Sequence, residues 1–520
     1  MPALLPAFSL RDLDGRTHAF PRSTKSVVCF VKEDCPTCNL VLPLVEALHG
    51  HAGLDILVAG QTAEGNTILA RRHALSAPVL DDSDLTVSFA YDIETVPLVI
   101  VADAEGVEAD RLVGFDRAEW RAFFERHAQD AAVDWDAYPD WRPGCGSLTQ
   151  DPIISERLRA TSENSPLRAR RIETAPDDDV HEFMFDQGFS DGLPVVPPTP
   201  DRVLRMLEGT ARDPQSVVAT IPPNMAPATV EKIAVNAVLA GCSPEYLPVI
   251  IAAVEAACTD TFNAHGVMAT TMGASPVMVV NGPIRERIGM NMGLSALGQG
   301  NRANATIGRA LRLALRNVGG ARPGGAERST LGNPMKYSMC FAEWEERSPW
   351  PPLHVERGFD ASDSVVTLFA MTGGPSLIVD QASRTASQLA GSFALSMESA
   401  HHVRAHTMGD CILVVSPEHV DTLRTGNYSK TDLRDRIQEV TSRPLRDLVA
   451  DAVSGVGLDP ARAAGMPAEK LDRPAPKFSS GDNIHIVVAG SEAGKFSAFF
   501  HGWASGPRGS MPVSRKIEVA

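Results

Sequence analysis

The sequence predicts an α/β protein: a small N-terminal α/β unit followed by a much larger α/β region. Three observations carry that expectation. Short β-branched runs alternate with apolar patterns of helical period, as sheets flanked by helices require. The chain has 520 residues, which at roughly 100–200 residues per domain is enough for two to four domains. Its composition also shifts twice, dividing it into 1–130, a linker at 131–180, and 181–520, the last being one large domain or two related lobes.

The composition is that of a globular protein, 44% apolar and 22% charged, which excludes disorder, collagen and coiled coil as the main architecture. Lys and Arg number 48 against 64 Asp and Glu, a net charge of −16, which argues against general binding to nucleic acid or anionic membranes. No window approaches the roughly 20 uncharged apolar residues of a membrane span. The best stretch, Tyr246 to Cys258, is short, carries Glu255 and reads as a buried helix. Met1-Pro2-Ala3-Leu4-Leu5-Pro6 has no basic residue before its apolar stretch, a poor export signal, so a cytoplasmic location is expected. Eight cysteines are too few for a disulfide scaffold, so each is read by position.

In the first 130 residues, Val27 to Lys32 is a buried strand, and Cys35-Pro36-Thr37-Cys38 follows at once. A helix then runs through Leu40, Leu42, Leu44, Val45 and Leu48, with Gly50 as its stop. Leu54 to Ala59 and Leu98 to Ala102 are further strands, and Asn66 to Leu75 a helix. Asp103 to Gly106 is a hairpin turn, and Asp116 with Glu119 starts a last helix through Phe124.

The chemistry of this region lies in Cys35 and Cys38. A strand–CxxC–helix layout sets Cys35 at a helix N-terminus, where the dipole favours the nucleophilic thiolate. Cys38, one turn inside, is near enough to resolve a mixed disulfide. With eight cysteines in 520 residues, chance alone supplies about 0.1 such pair. The competing reading is half of a zinc site, but the region has no second CxxC and no Cys/His pair at zinc spacing.

Pro6-Ala7-Phe8-Ser9-Leu10 with Asp14-Gly15, Cys35-Pro36-Thr37-Cys38 and Val96-Pro97 together resemble the thioredoxin superfamily in its TlpA/AhpC-like branch, over about residues 1–130. The resemblance implies a thioredoxin fold, Cys35 as attacking thiol, Cys38 as resolving thiol and Pro97 as a cis-proline facing the disulfide. It implies no cofactor beyond that redox-active disulfide, with a thiol or disulfide reductant or substrate as partner. Two positions depart from the pattern: Cys29 stands where a carboxylate is usual, and Asp34 where an aromatic is. A carboxylate beside Cys35 should raise its pKa. Lys32 stands where a peroxiredoxin needs Thr or Ser, which disfavours peroxidase activity.

In the linker, an aromatic patch (Trp135, Tyr138, Trp141) precedes Gly144-Cys145-Gly146. A cysteine between two glycines reads as exposed and mobile; an incidental loop thiol is favoured over an intrachain partner for Cys35.

Beyond 181, helices are expected at Pro200–Gly209, Thr229–Ala240, Ser243–Ala257 and Ala303–Val318, and strands at Pro276–Val280, Ser364–Ala370, Ile412–Ser416 and Ile484–Gly490. Cys242 precedes a helix; Cys340 and Cys411 complete a set of thiols that could receive electrons from Cys35 and Cys38. Gly298 to Asn304 opens a helix whose free N–H groups favour an anion, and Gly300, Asn301, Arg302, His265 and Lys336 form a candidate pocket for a small anionic substrate. Arg309, Arg312 and Arg316 share a helix face and suit an acidic segment of the same chain. Glu398, His402 and His406 have i, i+4, i+8 spacing, a weak metal pattern without HExxH, so a metal is not expected. Gly490 to Phe496 lacks the spacing of a P-loop. Asp191 to Thr199, Gly300 to Arg309 and Leu353 to Phe359 resemble a widespread bacterial domain family without an assigned activity.

Three functions follow. The first is a thiol-disulfide oxidoreductase that exchanges electrons with its own C-terminal region. The second is a C-terminal lyase- or hydrolase-like enzyme on a small anion, with the N-terminal unit protecting it. The third is a metal-dependent enzyme. Sequence leaves the oligomeric state open.

Overall fold

The computed structural model describes residues 4–49, 51, 53–172, 174, 175 and 177–518. Gly50, the expected helix stop, lies outside them, as do Met1 to Ala3 and Pro176. The chain divides into two compact units, Met1–Glu173 and Thr174–Ala520.

The first unit opens with an antiparallel hairpin, β1 (Phe8–Arg11) and β2 (Thr17–Phe20). Then come β3 (Lys25–Val31), α1 (Pro36–Leu48), β4 (Leu54–Gly60), α2 (Ala63–Arg72), β5 (Val79–Asp81) and α3 (Thr86–Ala90). They are followed by β6 (Thr95–Val96), β7 (Leu98–Ala102), β8 (Glu108–Val113), β9 (Phe115–Asp116) and α4 (Arg117–His127). β10 (Trp141–Arg142), β11 (Cys145–Gly146) and α5 (Pro152–Ser162) complete it. The main sheet has the order β5-β4-β3-β7-β8. β3, β4 and β5 run parallel, while β7 is antiparallel to β3 and β8 to β7. β3 and β7 are interior strands covered on both faces, so their sequences are continuous apolar runs rather than alternations. β8, an edge strand reading Glu-Ala-Asp-Arg-Leu-Val, has too thin an apolar signal to be anticipated. Gly106 takes φ +81° in the expected turn.

Residues 131–173, expected as part of a linker, fall within this first unit. The reason is aromatic packing and strand pairing. Trp135 meets Phe124 edge-on at 5.3 Å between ring centres, and Tyr138 lies 5.7 Å from Phe115. β10 pairs antiparallel with β9, and β11 with β6.

The second unit is built on a seven-stranded mixed sheet. Its path runs through Cys340–Ala342, Ser275–Asn281, Val365–Val379, Phe496–Gly502, Cys411–Val415 and Ile484–Val488; Val513–Lys516 pairs with Val365–Val379. Along the strand 411–415 the period-2 alternation divides two cores. Cys411, Leu413 and Val415 pack with Leu389, Phe393 and Leu433. Ile412 and Val414 pack with Phe341, Phe369 and Phe500. Helices Pro200–Leu207, Val230–Ala240, Leu247–Ala257 and Arg302–Asn317 agree with the sequence reading to within a few residues. No helix among the described residues is long and apolar enough to cross a membrane.

Candidate active site

Cys35 is the N-cap of α1, with Pro36 at the first helical position, where its missing N–H costs nothing. The Cys35 Sγ accepts a hydrogen bond from the backbone N–H of Cys38 at 3.2 Å. The thiol thus takes the place of a capping oxygen at the positive end of the helix dipole. Cys38 lies one turn inside, on the buried face of α1. Pro97 follows β6, and the Val96–Pro97 peptide is cis. Cys35 Sγ lies 3.5 Å from the Val96 carbonyl oxygen, to which the thiol donates. The two cysteines and the Val96–Pro97 corner therefore form one constellation, and all eight cysteines of the chain are free thiols.

The electrostatics separate the pair. Hydrogen bonding with Cys38 is the largest influence on Cys35; burial opposes it, and the Cys145 thiol and the N–H groups of Cys38 and Thr37 add to it, bringing Cys35 down to about 5. Burial pushes Cys38 far up, and its interaction with Cys35 adds to the effect. The site thus favours the thiolate form at Cys35 and the protonated thiol at Cys38. The expectation that Asp34 would raise the Cys35 pKa is corrected. The Asp34 side chain is 73% exposed and pairs with Lys32 at 3.4 Å, so water and an ammonium screen it. Cys29 is buried in β3 and pushed up to about 12 by burial alone, a core thiol beneath the site.

The residues the sequence reading missed are those that bring residues 143–149 onto this site. Gln61, 1% exposed, donates to Ser147 Oγ at 2.7 Å, and its carbonyl accepts the Leu148 N–H at 3.1 Å. Thr149 Oγ1 donates to the Ile93 carbonyl at 2.6 Å. Cys145, expected exposed and mobile, is half-buried in β11, opposite Val96 of β6. The only local signal was its pair of flanking glycines.

No family model and no curated protein matches this chain. Solved structures do match its N-terminal quarter. StoA from Bacillus subtilis is similar at 20% identity and TM-score 0.21, over 23% of this chain and 99% of that one. The thioredoxin domain of a thiol-disulfide oxidoreductase from Bacteroides vulgatus is similar at 17% identity and TM-score 0.22, over 24% and 95%. A secreted Mycobacterium tuberculosis disulfide oxidoreductase homologous to E. coli DsbE is similar at 16% identity and TM-score 0.20, over 25% and 89%. These likenesses do not extend to the second unit.

In the second unit the expected thiols are not accessible. Cys242 is buried, donates to the Thr306 carbonyl at 3.4 Å and is pushed up to about 12, chiefly by burial. Cys340 and Cys411 are buried sheet residues whose thiols burial pushes up further. Cys258, half-exposed at the end of helix Leu247–Ala257, is the most open thiol of this unit.

The candidate anion pocket is not assembled as expected. Asn301 caps helix Arg302–Asn317 through Asn304 N–H and donates to the Gly289 carbonyl. Arg302 binds the carbonyls of Gly241 and Cys242, Gly300 is exposed, and His265 is exposed on a short helix, Ala264–Ala269. Lys336 lies instead with Arg312, Arg316, Glu327 and Asn333 in a cleft of about 430 Å³. Ten helical residues separate Arg302 from Arg312, about 15 Å along the axis, so one small ligand cannot engage both ends. Lys336 Nζ pairs with Glu327 at 2.9 Å, and Arg312 with the same carboxylate at 3.2 Å. Arg309 forks onto Asp191 at 2.9 and 2.7 Å, an acidic partner within the chain.

The metal pattern fails for a local reason. The helix Ala386–Met397 ends before the pattern begins, leaving Glu398 as C-cap and His402 and His406 in irregular backbone. Glu398 pairs with Arg443 at 2.8 Å, His402 faces Ser454 and His406 the Ala475 carbonyl. Among the described residues no group of three His, Cys, Asp or Glu side chains is placed to hold a metal.

Proposed function

We propose that the first unit is a thiol-disulfide oxidoreductase acting through Cys35 and Cys38. The observation that carries this reading is the asymmetry of the pair: a helix-capping Cys35 drawn down to about 5 beside a buried Cys38 pushed far up. The Cys35 thiolate attacks one sulfur of a substrate disulfide, forming a mixed disulfide and releasing the other sulfur as a thiolate, which takes a proton from water. Cys38 then loses its proton and attacks Cys35 Sγ. The Cys35–Cys38 disulfide forms, the mixed disulfide breaks, and the second substrate sulfur leaves as a thiolate. Two electrons pass from the dithiol to the substrate, and a dithiol reductant restores the pair. The low Cys35 value also makes it a good leaving group in the reverse direction. A reducing compartment would hold the pair as dithiol.

Exchange with the second unit through Cys242, Cys340 or Cys411 is not supported, because burial pushes all three thiols up and keeps them protonated, whereas Cys35 is drawn down. The electron partner is better sought in a separate thiol protein or at half-exposed Cys258. The test is insulin reduction driven by dithiothreitol. Cys35→Ser should fall to the uncatalysed rate; equal rates for wild type and Cys35→Ser would sink the reading.

A second reading concerns the second unit alone. The cleft at Lys336 presents three cationic side chains, Arg312, Arg316 and Lys336, against Glu327 and Asp191, which favours a small anion there. Burial lowers the Lys336 pKa, with Arg312 contributing. Calorimetric titration with phosphate and with dicarboxylates, on wild type and Lys336→Met, tests it: binding that is identical in both removes the cleft as the site.

A further inference from the structure

Cys145 is held beside the dithiol by a series of contacts along residues 143–149. Within the CPTC turn, Thr37 Oγ1 donates to the Pro143 carbonyl at 2.6 Å. At the next residue, Gly144 passes so close to β6 that an added Cβ would lie 2.3 Å from the Thr95 methyl and 2.8 Å from the Val96 carbonyl oxygen. Only glycine permits that approach. Cys145 is then in register with Val96, whose carbonyl also accepts from Cys35 Sγ. Beyond it, the Ser147 N–H donates to the Glu94 carbonyl at 2.8 Å, and Gln61 and Thr149 fix the rest of the segment. Cys35 and Cys38 are both 0% exposed, whereas Cys145 is the half-exposed member of the three. The thiol side chain of Cys145 is also near enough to Cys35 to act on its titration by hydrogen bonding.

We propose that Cys145 is a third redox thiol, an internal exchange partner that takes Cys35 from Cys38 and brings the disulfide to the surface of the unit. The inference rests on the oxidoreductase reading, since it starts from the Cys35–Cys38 disulfide. Cys145 loses its proton to water, and its thiolate attacks Cys35 Sγ. The Cys35–Cys145 bond forms, the Cys35–Cys38 bond breaks, and its electron pair remains on Cys38, which takes up a proton. The exchange is redox-neutral and needs no further reagent. The new disulfide has one half-exposed sulfur, so an outside thiol can attack Cys145 Sγ and expel Cys35 as a thiolate. Because residues 143–149 are already ordered against β6, the exchange is intramolecular at high effective concentration.

The experiment uses the full-length chain, oxidised with glutathione disulfide, quenched in acid and mapped by peptide mass. In Cys38→Ser, where the usual resolving thiol is missing, the expected main product is a Cys35–Cys145 linked peptide. In Gly144→Ala, with Cys38 intact, the Cys35–Cys145 peptide seen in oxidised wild type should be lost while the Cys35–Cys38 peptide persists. If Cys38→Ser instead accumulates a glutathione adduct on Cys35, with Cys145 still free for alkylation, the role of Cys145 is overturned and the oxidoreductase reading stands. If wild type forms no Cys35–Cys38 disulfide and Cys35 takes no adduct, the underlying reading fails as well.

Discussion

Cys35 gains its reactivity from neighbours that are all within one turn of helix or one strand away. Because its thiol is drawn down from 9.0 to about 5, its alkylation by iodoacetamide should be flat from neutral pH down to about pH 6 and fall through about pH 5. An unperturbed thiol would instead still be gaining rate above neutrality. Cys145→Ala removes one of the contributing hydrogen bonds and should move that midpoint upward. Asp34→Asn should leave it in place, because the carboxylate is exposed and paired with Lys32. A pH–rate profile followed by peptide mapping checks all three. That Cys35 and Cys38 matter was legible from their spacing alone; that the Asp34 charge has little hold on Cys35 was not, because side-chain direction at the end of β3 decides it.

The helix Arg302–Asn317 shows how one element is held in place by charge. Its Arg309 forks onto Asp191, Arg312 reaches Glu327, and Arg316 donates to the Ser190 carbonyl. Burial raises the Asp191 pKa, but the Arg309 guanidinium outweighs it, leaving the carboxyl below its ordinary 3.8. A carboxyl lowered in the folded state contributes stability that is present above pH 3.8 and is lost as pH falls through the folded value. Asp191→Ala leaves Arg309 without its partner and should cost about 3 kcal/mol. The expected observation is a lower melting temperature for the second unit at neutral pH, with the difference from wild type shrinking in acid. The three-arginine face and its acidic partner were readable from i, i+3, i+7 spacing and net charge. The identity of the partner was not, since Asp191 and Arg309 are distant in sequence.

At the scale of the molecule, two units each carry their own sheet and core. A fragment ending at residue 173 keeps every contact of the first unit described here and should melt cooperatively and reduce insulin at the wild-type rate. A fragment ending at 130 loses β10, β11 and the Trp135–Tyr138 packing. It should melt lower and expose Cys35 to faster alkylation, measured by circular dichroism and thiol titration. Much of the fold was written locally. The β-branched runs of β3 and β7, the strand–CPTC–helix order and the Gly and Asp punctuation act over a few residues, so the chain's own spacing reveals them. What needed the tertiary structure were the relations between distant segments. β11 meets β6 about 50 residues away. Cys242, Cys340 and Cys411 vanish into cores, and Lys336 joins Arg312 rather than Arg302. Pairing and burial depend on which surfaces exclude water together, and that is a property of the whole packed chain.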